Sequence, residues 1–106
     1  MDQRSAFESV MDVVKNYAHF LKESGLNIQN VYLFGSYAKG TFREDSDIDL
    51  AVVMKNLQNS FTMQVQLMNL RNNFDTRIEP HPFDERDFDD SHPFAYEILK
   101  SGIPIL

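Results

Sequence analysis

Apolar residues recur at helical spacing over residues 5–23, at Phe7, Val10, Met11, Val14, Tyr17, Ala18 and Leu21. Gly25 follows the last of them and reads as a helix stop. Residues 28–34 are β-branched and aromatic, which predicts a buried strand ended by Gly35-Ser36. Residues 37–39 read as one helical turn and residues 41–46 as a polar loop. Residues 47–54 alternate: Ile48, Leu50 and Val52 share one face, and Asp47, Asp49, Ala51 and Val53 the other.

Residues 59–73 predict an amphipathic helix through Phe61, Val65, Leu67, Met68 and Leu70. A third short strand is expected over residues 76–81, stopped by Pro80 and Pro82. A last helix is expected over residues 93–100, with Pro93 near its start and Gly102 just past its end. The tail 103–106 is expected to add a short edge element or to dock on the core. The order helix, strand, strand, helix, strand, helix implies an α/β (α+β) domain, a small mixed sheet with helices backing one side.

A chain of 106 residues fits one domain, residues 1–106, and 42% hydrophobic content supplies a core. Cysteine is absent, which excludes disulfides and thiolate ligands. No apolar run approaches the ~20 residues of a membrane span, and the opening residues do not resemble a secretory signal, so a cytoplasmic location is expected. The net charge of −6 repels a phosphate backbone and argues against a large nucleic-acid footprint. It does not argue against a metal-bridged nucleotide, because hard cations require carboxylates.

Residues 34–50, FGSYAKGTFREDSDIDL, carry the chemistry. Two apart on a strand, Asp47 and Asp49 project from one face about 7 Å apart, while Ile48 and Leu50 anchor the other. Such a pair repels itself unless a cation sits between the carboxylates. Gly35-Ser36, directly after a hydrophobic strand, would let the backbone turn tightly and direct amides and a hydroxyl at an anion. Two rival motifs fail. Asp45, Asp47 and Asp49 match the start of a calcium loop, but Leu50 and Asn56 stand where it needs Gly and Glu. Gly35 and Gly40 have P-loop separation, but Thr41-Phe42 follows instead of Lys-Ser/Thr.

Gly35-Ser36, ten intervening residues, then Asp47-Ile48-Asp49 resembles the signature of the DNA polymerase β-type nucleotidyltransferase superfamily. With Gly40 and Ser46-Asp47-Ile48-Asp49-Leu50, the string is similar to the minimal nucleotidyltransferase branch, and the likeness runs over nearly the whole chain. The resemblance implies a nucleotidyltransferase-like fold and a third carboxylate on a later strand. Glu79 is expected there, with Asp75 as the fallback of the same parity; the superfamily more often carries aspartate at this place.

It also implies attack by an acceptor hydroxyl on the α-phosphate of a nucleoside triphosphate, with ATP expected, and release of pyrophosphate. Asp47, Asp49 and Glu79 would hold two Mg²⁺ or Mn²⁺ ions, and Glu79 would act as base. Gly35 and Ser36 would seat the triphosphate, with Lys39 and Arg43 in reach of its oxygens. Minimal members resemble the antitoxin half of a two-gene pair, which implies AMP transfer to a tyrosine of a separate HEPN-type partner. The alternative is a catalytically silent module that binds nucleotide or masks a partner. Tyr37 could stack on a base but reads as packing, and His81, which shares a strand face with Glu79, could touch metal or substrate but reads as structural. The acidic run 84–90 reads as a solvated loop with Phe83 and Phe88 tucked inward, and His19 and His92 give no signal.

Overall fold

A computed structural model describes residues 2–106. Helix α1 (Gln3–Glu23) begins two residues before the expected start at residue 5, because Asp2 caps it by accepting the Ser5 N–H at 2.8 Å. Val10, Val14, Tyr17, Ala18 and Leu21 form its buried stripe. Strand β1 (Ile28–Phe34) leads through Gly35 into the one-turn helix α2 (Ser36–Lys39). Strand β2 (Ile48–Met54) follows, then α3 (Ser60–Leu70) with a 3-10 turn at Arg71–Asn73. Strand β3 (Ile78–Asp84), a second 3-10 turn (Glu85–Asp87), α4 (Pro93–Ser101) and the two-residue β4 (Ile103–Pro104) complete the chain.

The sheet order is β3-β2-β1-β4. β1 runs antiparallel to β2 and β4, whereas β2 and β3 are parallel, with α3 as the crossover that parallel pairing requires. The sheet is therefore mixed, as the element order implied. The tail does both things expected of it: β4 pairs with β1, and the Ile105 N–H donates to the Val31 carbonyl at 2.7 Å.

Three local expectations are corrected. Pro80 and Pro82 do not stop the third strand, which runs on to Asp84. β3 is an edge, and these residues turn their backbone groups away from β2, so their missing N–H groups interrupt no ladder bond. The outward carbonyls are covered instead by side chains: Arg71 donates to the Ile78 carbonyl at 2.6 Å and Gln64 to that of Pro80 at 3.1 Å. In α3, Phe61 is 75% exposed and Val65 is exposed too. The inward side of that helix is Met63, Leu67 and Leu70. Asp84 leaves the solvated run, because its buried carboxylate accepts the Leu57 and Arg86 N–H groups and the Arg86 guanidinium. Phe83 and Phe88 do turn inward, against Phe94 and Tyr32 respectively.

The main core lies where α1 and α3 meet the face formed by Val31, Leu33, Ile48, Leu50, Val52 and Ile78. α4 departs from the one-sided expectation. Through Phe94 it reaches Phe34, His81 and Phe83 on the opposite face. Among the described residues, no helix is long and apolar enough to cross a membrane.

Candidate active site

The site forms on that opposite face, where three strands deliver side chains in register. Phe34 of β1 pairs with Asp49 of β2, and Asp49 pairs with Glu79 of β3. Ile48 and Leu50 are fully buried on the core side, so the strand alternation turns Asp49 to the opposite face. Asp47 lies one residue ahead of β2 and is exposed.

Directly after Phe34 the chain turns at Gly35, with φ 76° and ψ −150°, a conformation essentially confined to glycine. A Cβ at this position would collide with the Asp49 carboxylate. The turn and the acid are therefore in direct contact. Ser36 opens α2 immediately beyond, and Gly40 closes it in the left-handed region.

Glu79 faces this group with its carboxyl raised above the usual range. Burial is the first cause; His81 opposes it, and the hydrogen bond and charge of Asp47, with the charge of Asp49, add to it. His81, two residues on along the same face, places Nε2 3.5 Å from Asp49 Oδ1. Its ring lies 5.3 Å from Phe34 and 6.3 Å from Phe94, centre to centre. Nε2 is shielded from solvent and has no hydrogen-bond partner. Asp49, Glu79 and His81 each offer one donor atom, and these atoms all lie within 4.8 Å of one another. Three convergent donors, self-repelling carboxylates and an orphaned buried nitrogen fit a divalent cation.

The fallback acid is placed elsewhere. Asp75 is held by Arg77 through two guanidinium bonds, at 3.1 and 2.8 Å, which lower its pKa. Arg77 also donates to the Tyr37 hydroxyl at 3.1 Å and the Glu44 carbonyl at 3.0 Å, pinning the loop that precedes β2. Tyr37 is buried and stacks on Phe42 at 4.3 Å. Arg43 lines a hollow of about 540 Å³ with Gln3, Ala6, Tyr37, Glu44 and Arg77 rather than with the acids. Lys39 is exposed at the end of α2.

Sequence reasoning missed the aromatic surround. Phe61, Phe83 and Phe94 line a hollow of about 360 Å³ together with His81 and Gln64. The parity of Phe83 with His81 was a usable signal, but nothing in the sequence says which sheet face α4 covers.

The model of the family described as polymerase beta, nucleotidyltransferase, matches residues 15–106. The chain belongs to this nucleotidyltransferase family. Among solved structures it is similar to a candidate nucleotidyltransferase from Sulfolobus solfataricus, with a TM-score of 0.74 at 20% identity, over 98% of this chain and 86% of that one. It is similar also to a toxin-antitoxin with AMP-PNP, with a TM-score of 0.60 at 24% identity, over 87% of this chain and 72% of that one. A third, the MntA-HpeT toxin-antitoxin, superposes with a TM-score of 0.53 at 18% identity, over 100% and 73%. No curated protein matches the sequence. The nucleotidyltransferase therefore carries its motif on the fold its sequence implied, with the Gly-Ser turn and the acidic strand side by side.

Proposed function

We propose that this nucleotidyltransferase transfers AMP from ATP to a hydroxyl of a separate protein, a tyrosine of a HEPN-type toxin, and acts as its cytoplasmic antitoxin. The carrying observation is the register that sets Asp49 beside Glu79, with Gly35 against Asp49 and Asp47 against Glu79. Asp47, Asp49 and Glu79 would hold divalent ions, which supply charge neutralisation for the triphosphate and acidify the acceptor hydroxyl. Gly35 and Ser36 seat the triphosphate, with Lys39 as a further cation for its oxygens, whereas Arg43 lines the hollow beside Tyr37 and Arg77. The acceptor oxygen bonds to the α-phosphorus, the bond to the β-phosphate oxygen breaks, and pyrophosphate leaves. Glu79 takes the hydroxyl proton.

Two observations support a protein acceptor. Two of the similar structures are toxin-antitoxin assemblies, one of them with AMP-PNP. Phe61, Phe94, Tyr96 and Leu99 are exposed apolar side chains, and the first two border the hollow at His81.

The test incubates the protein with α-phosphate-labelled ATP, a divalent ion and its partner, beside an Asp49→Asn variant. Label on the partner, released as AMP by phosphodiesterase and absent with the variant, is the expected result. If no acceptor is labelled with any of the four triphosphates, Mg²⁺ or Mn²⁺, while the partner still binds, the masking module replaces this reading.

A further inference from the structure

His81 stands out among the groups the transfer reaction leaves unused. It is one of two residues among those described with a buried side-chain nitrogen that lacks a hydrogen-bond partner. At 3.5 Å from Asp49 Oδ1, Nε2 is aimed at that carboxylate without making a hydrogen bond to it. The strand register explains the aim. Cross-strand from His81 is Ala51, which adds only a methyl group, so the ring leans along the strand toward the acids. Phe34 and Phe94 hold it there from two sides.

We propose that His81 Nε2 ligates a divalent ion together with Asp49 and Glu79, and that this nitrogen makes the site prefer Mn²⁺ to Mg²⁺. The proposal rests on the metal-binding reading of the site given above. Ligands of a small octahedral ion lie at most roughly 4.2 Å apart across the metal. Donor atoms already within 4.8 Å of one another close on such an ion with small side-chain movements. Both ions favour oxygen, but Mg²⁺ sheds water reluctantly and demands near-ideal octahedral geometry, whereas Mn²⁺, a first-row transition ion, accepts one imidazole nitrogen more readily than Mg²⁺ does. A carboxylate-only site would take either ion on oxygen; replacing one oxygen by His81 tilts the balance. Loss of an outer-shell partner lowers metal affinity about 10–100-fold, so loss of a ligand should lower it at least about tenfold.

The experiment uses the tag-free full chain with Mn²⁺ and inorganic triphosphate, which contains no nitrogen. Pulsed electron paramagnetic resonance then reads ¹⁴N coupling to the bound Mn²⁺, and the signal of free Mn²⁺ gives affinity. Imidazole coupling is expected in the native protein and in a His19→Ala/His92→Ala double variant, which leaves His81 as the sole histidine. Coupling should vanish in His81→Ala, with Mn²⁺ affinity down at least about tenfold and Mg²⁺ affinity changed less. Mn²⁺ that binds, is lost in Asp49→Asn and shows no ¹⁴N coupling would overturn the role of His81 and leave the carboxylate site standing. Failure of the native protein to bind Mn²⁺ at all would overturn both. The double variant keeps the test decisive even if His81→Ala does not fold.

Discussion

Gly35 and Asp49 occupy each other's space: any side chain at position 35 would enter the volume of the Asp49 carboxylate. The spacing of the Gly-Ser turn from the acidic strand is thus a packing constraint as well as a sequence motif. Because β1 and β2 pair antiparallel with Phe34 opposite Asp49, the turn leaves the sheet where the acid emerges.

Gly35→Ala is therefore expected to do two kinds of harm. Its backbone conformation costs an alanine about 1–3 kcal/mol, and its Cβ displaces Asp49. A displacement of about 1 Å at a reacting group lowers rate by about 10²-fold. Gly25→Ala is the control, since Gly25 also has positive φ, 88°, but nothing lies within 4 Å of its Cβ position. Loss of stability in both variants with loss of transfer only at position 35 is expected. Equal activity in the two would show that contact with Asp49 is irrelevant to the reaction.

Glu79→Gln should stabilise the metal-free protein while abolishing transfer. The folded-state pKa of Glu79 is raised, so its fold favours the protonated carboxyl. Its stabilising effect is then complete below the unfolded pKa of about 4.3 and is lost as pH rises through the folded value. Glutamine mimics the protonated form at every pH. The variant should match the native protein near pH 4 and exceed it in stability at pH 7. Divalent ion at a hundred times the native Kd should shift the order toward the native protein, adding about 2.7 kcal/mol to it and only about 1.4 kcal/mol to a variant that binds about tenfold more weakly. Thermal melts with and without Mn²⁺ check both signs, and a native protein more stable than the variant without metal would contradict the account.

Most of the architecture was legible because alternation is a strong signal where a strand has one core face. Ile48, Leu50 and Val52 revealed the orientation of Asp49, and the parity of residues 78 and 79 did the same for Glu79. What was hidden depends on neighbours distant in sequence. Pro80 and Pro82 looked like stops because only the sheet order makes β3 an edge that tolerates them. Phe61 looked like core because periodicity cannot tell an inward apolar side from an outward one. His81 looked structural because only the folded sheet brings its buried, unpartnered nitrogen to 3.5 Å from Asp49.

Asp84 gives an acid-sensitive tie. Its carboxylate accepts the Leu57 N–H at 3.0 Å and binds Arg86, which lowers its pKa well below the ordinary carboxylate range; the Arg86 side-chain bond is the largest cause. A depressed folded pKa means stability that is present above the unfolded value of about 3.9 and lost as pH falls toward the folded one. The native protein should melt above an Asp84→Asn variant at pH 7, and the gap should shrink below about pH 4. A gap that stays constant from pH 7 to pH 3 would show that the charge on Asp84 contributes nothing.

Tyr17 ties α1 to α3 from the side of the sheet away from the acids. Fully buried, it donates its hydroxyl to the Leu67 carbonyl at 2.6 Å and meets Phe74 edge-on at 5.5 Å. Burial also raises the pKa of the phenol, so it stays neutral and able to donate over the working pH range. The Leu67 carbonyl also accepts from the Arg71 N–H, so removing the hydroxyl does not leave it without a partner. Tyr17→Phe should then cost about 0.5–1.5 kcal/mol rather than the full penalty of an unpaired buried group. For a domain of this size each kcal/mol lowers the melting temperature by about 4–8 °C. Tyr17→Ala also opens a cavity and should cost about 3–5 kcal/mol, a large share of the stability of a small domain. Transfer activity per folded molecule should be unchanged in Tyr17→Phe, because the residue belongs to the core cluster with Leu67, against Phe74, rather than to the group around Asp49. A selective loss of transfer in that variant, with melting unchanged, would mean that α1 and α3 tune the site through the sheet and that the two faces are not independent.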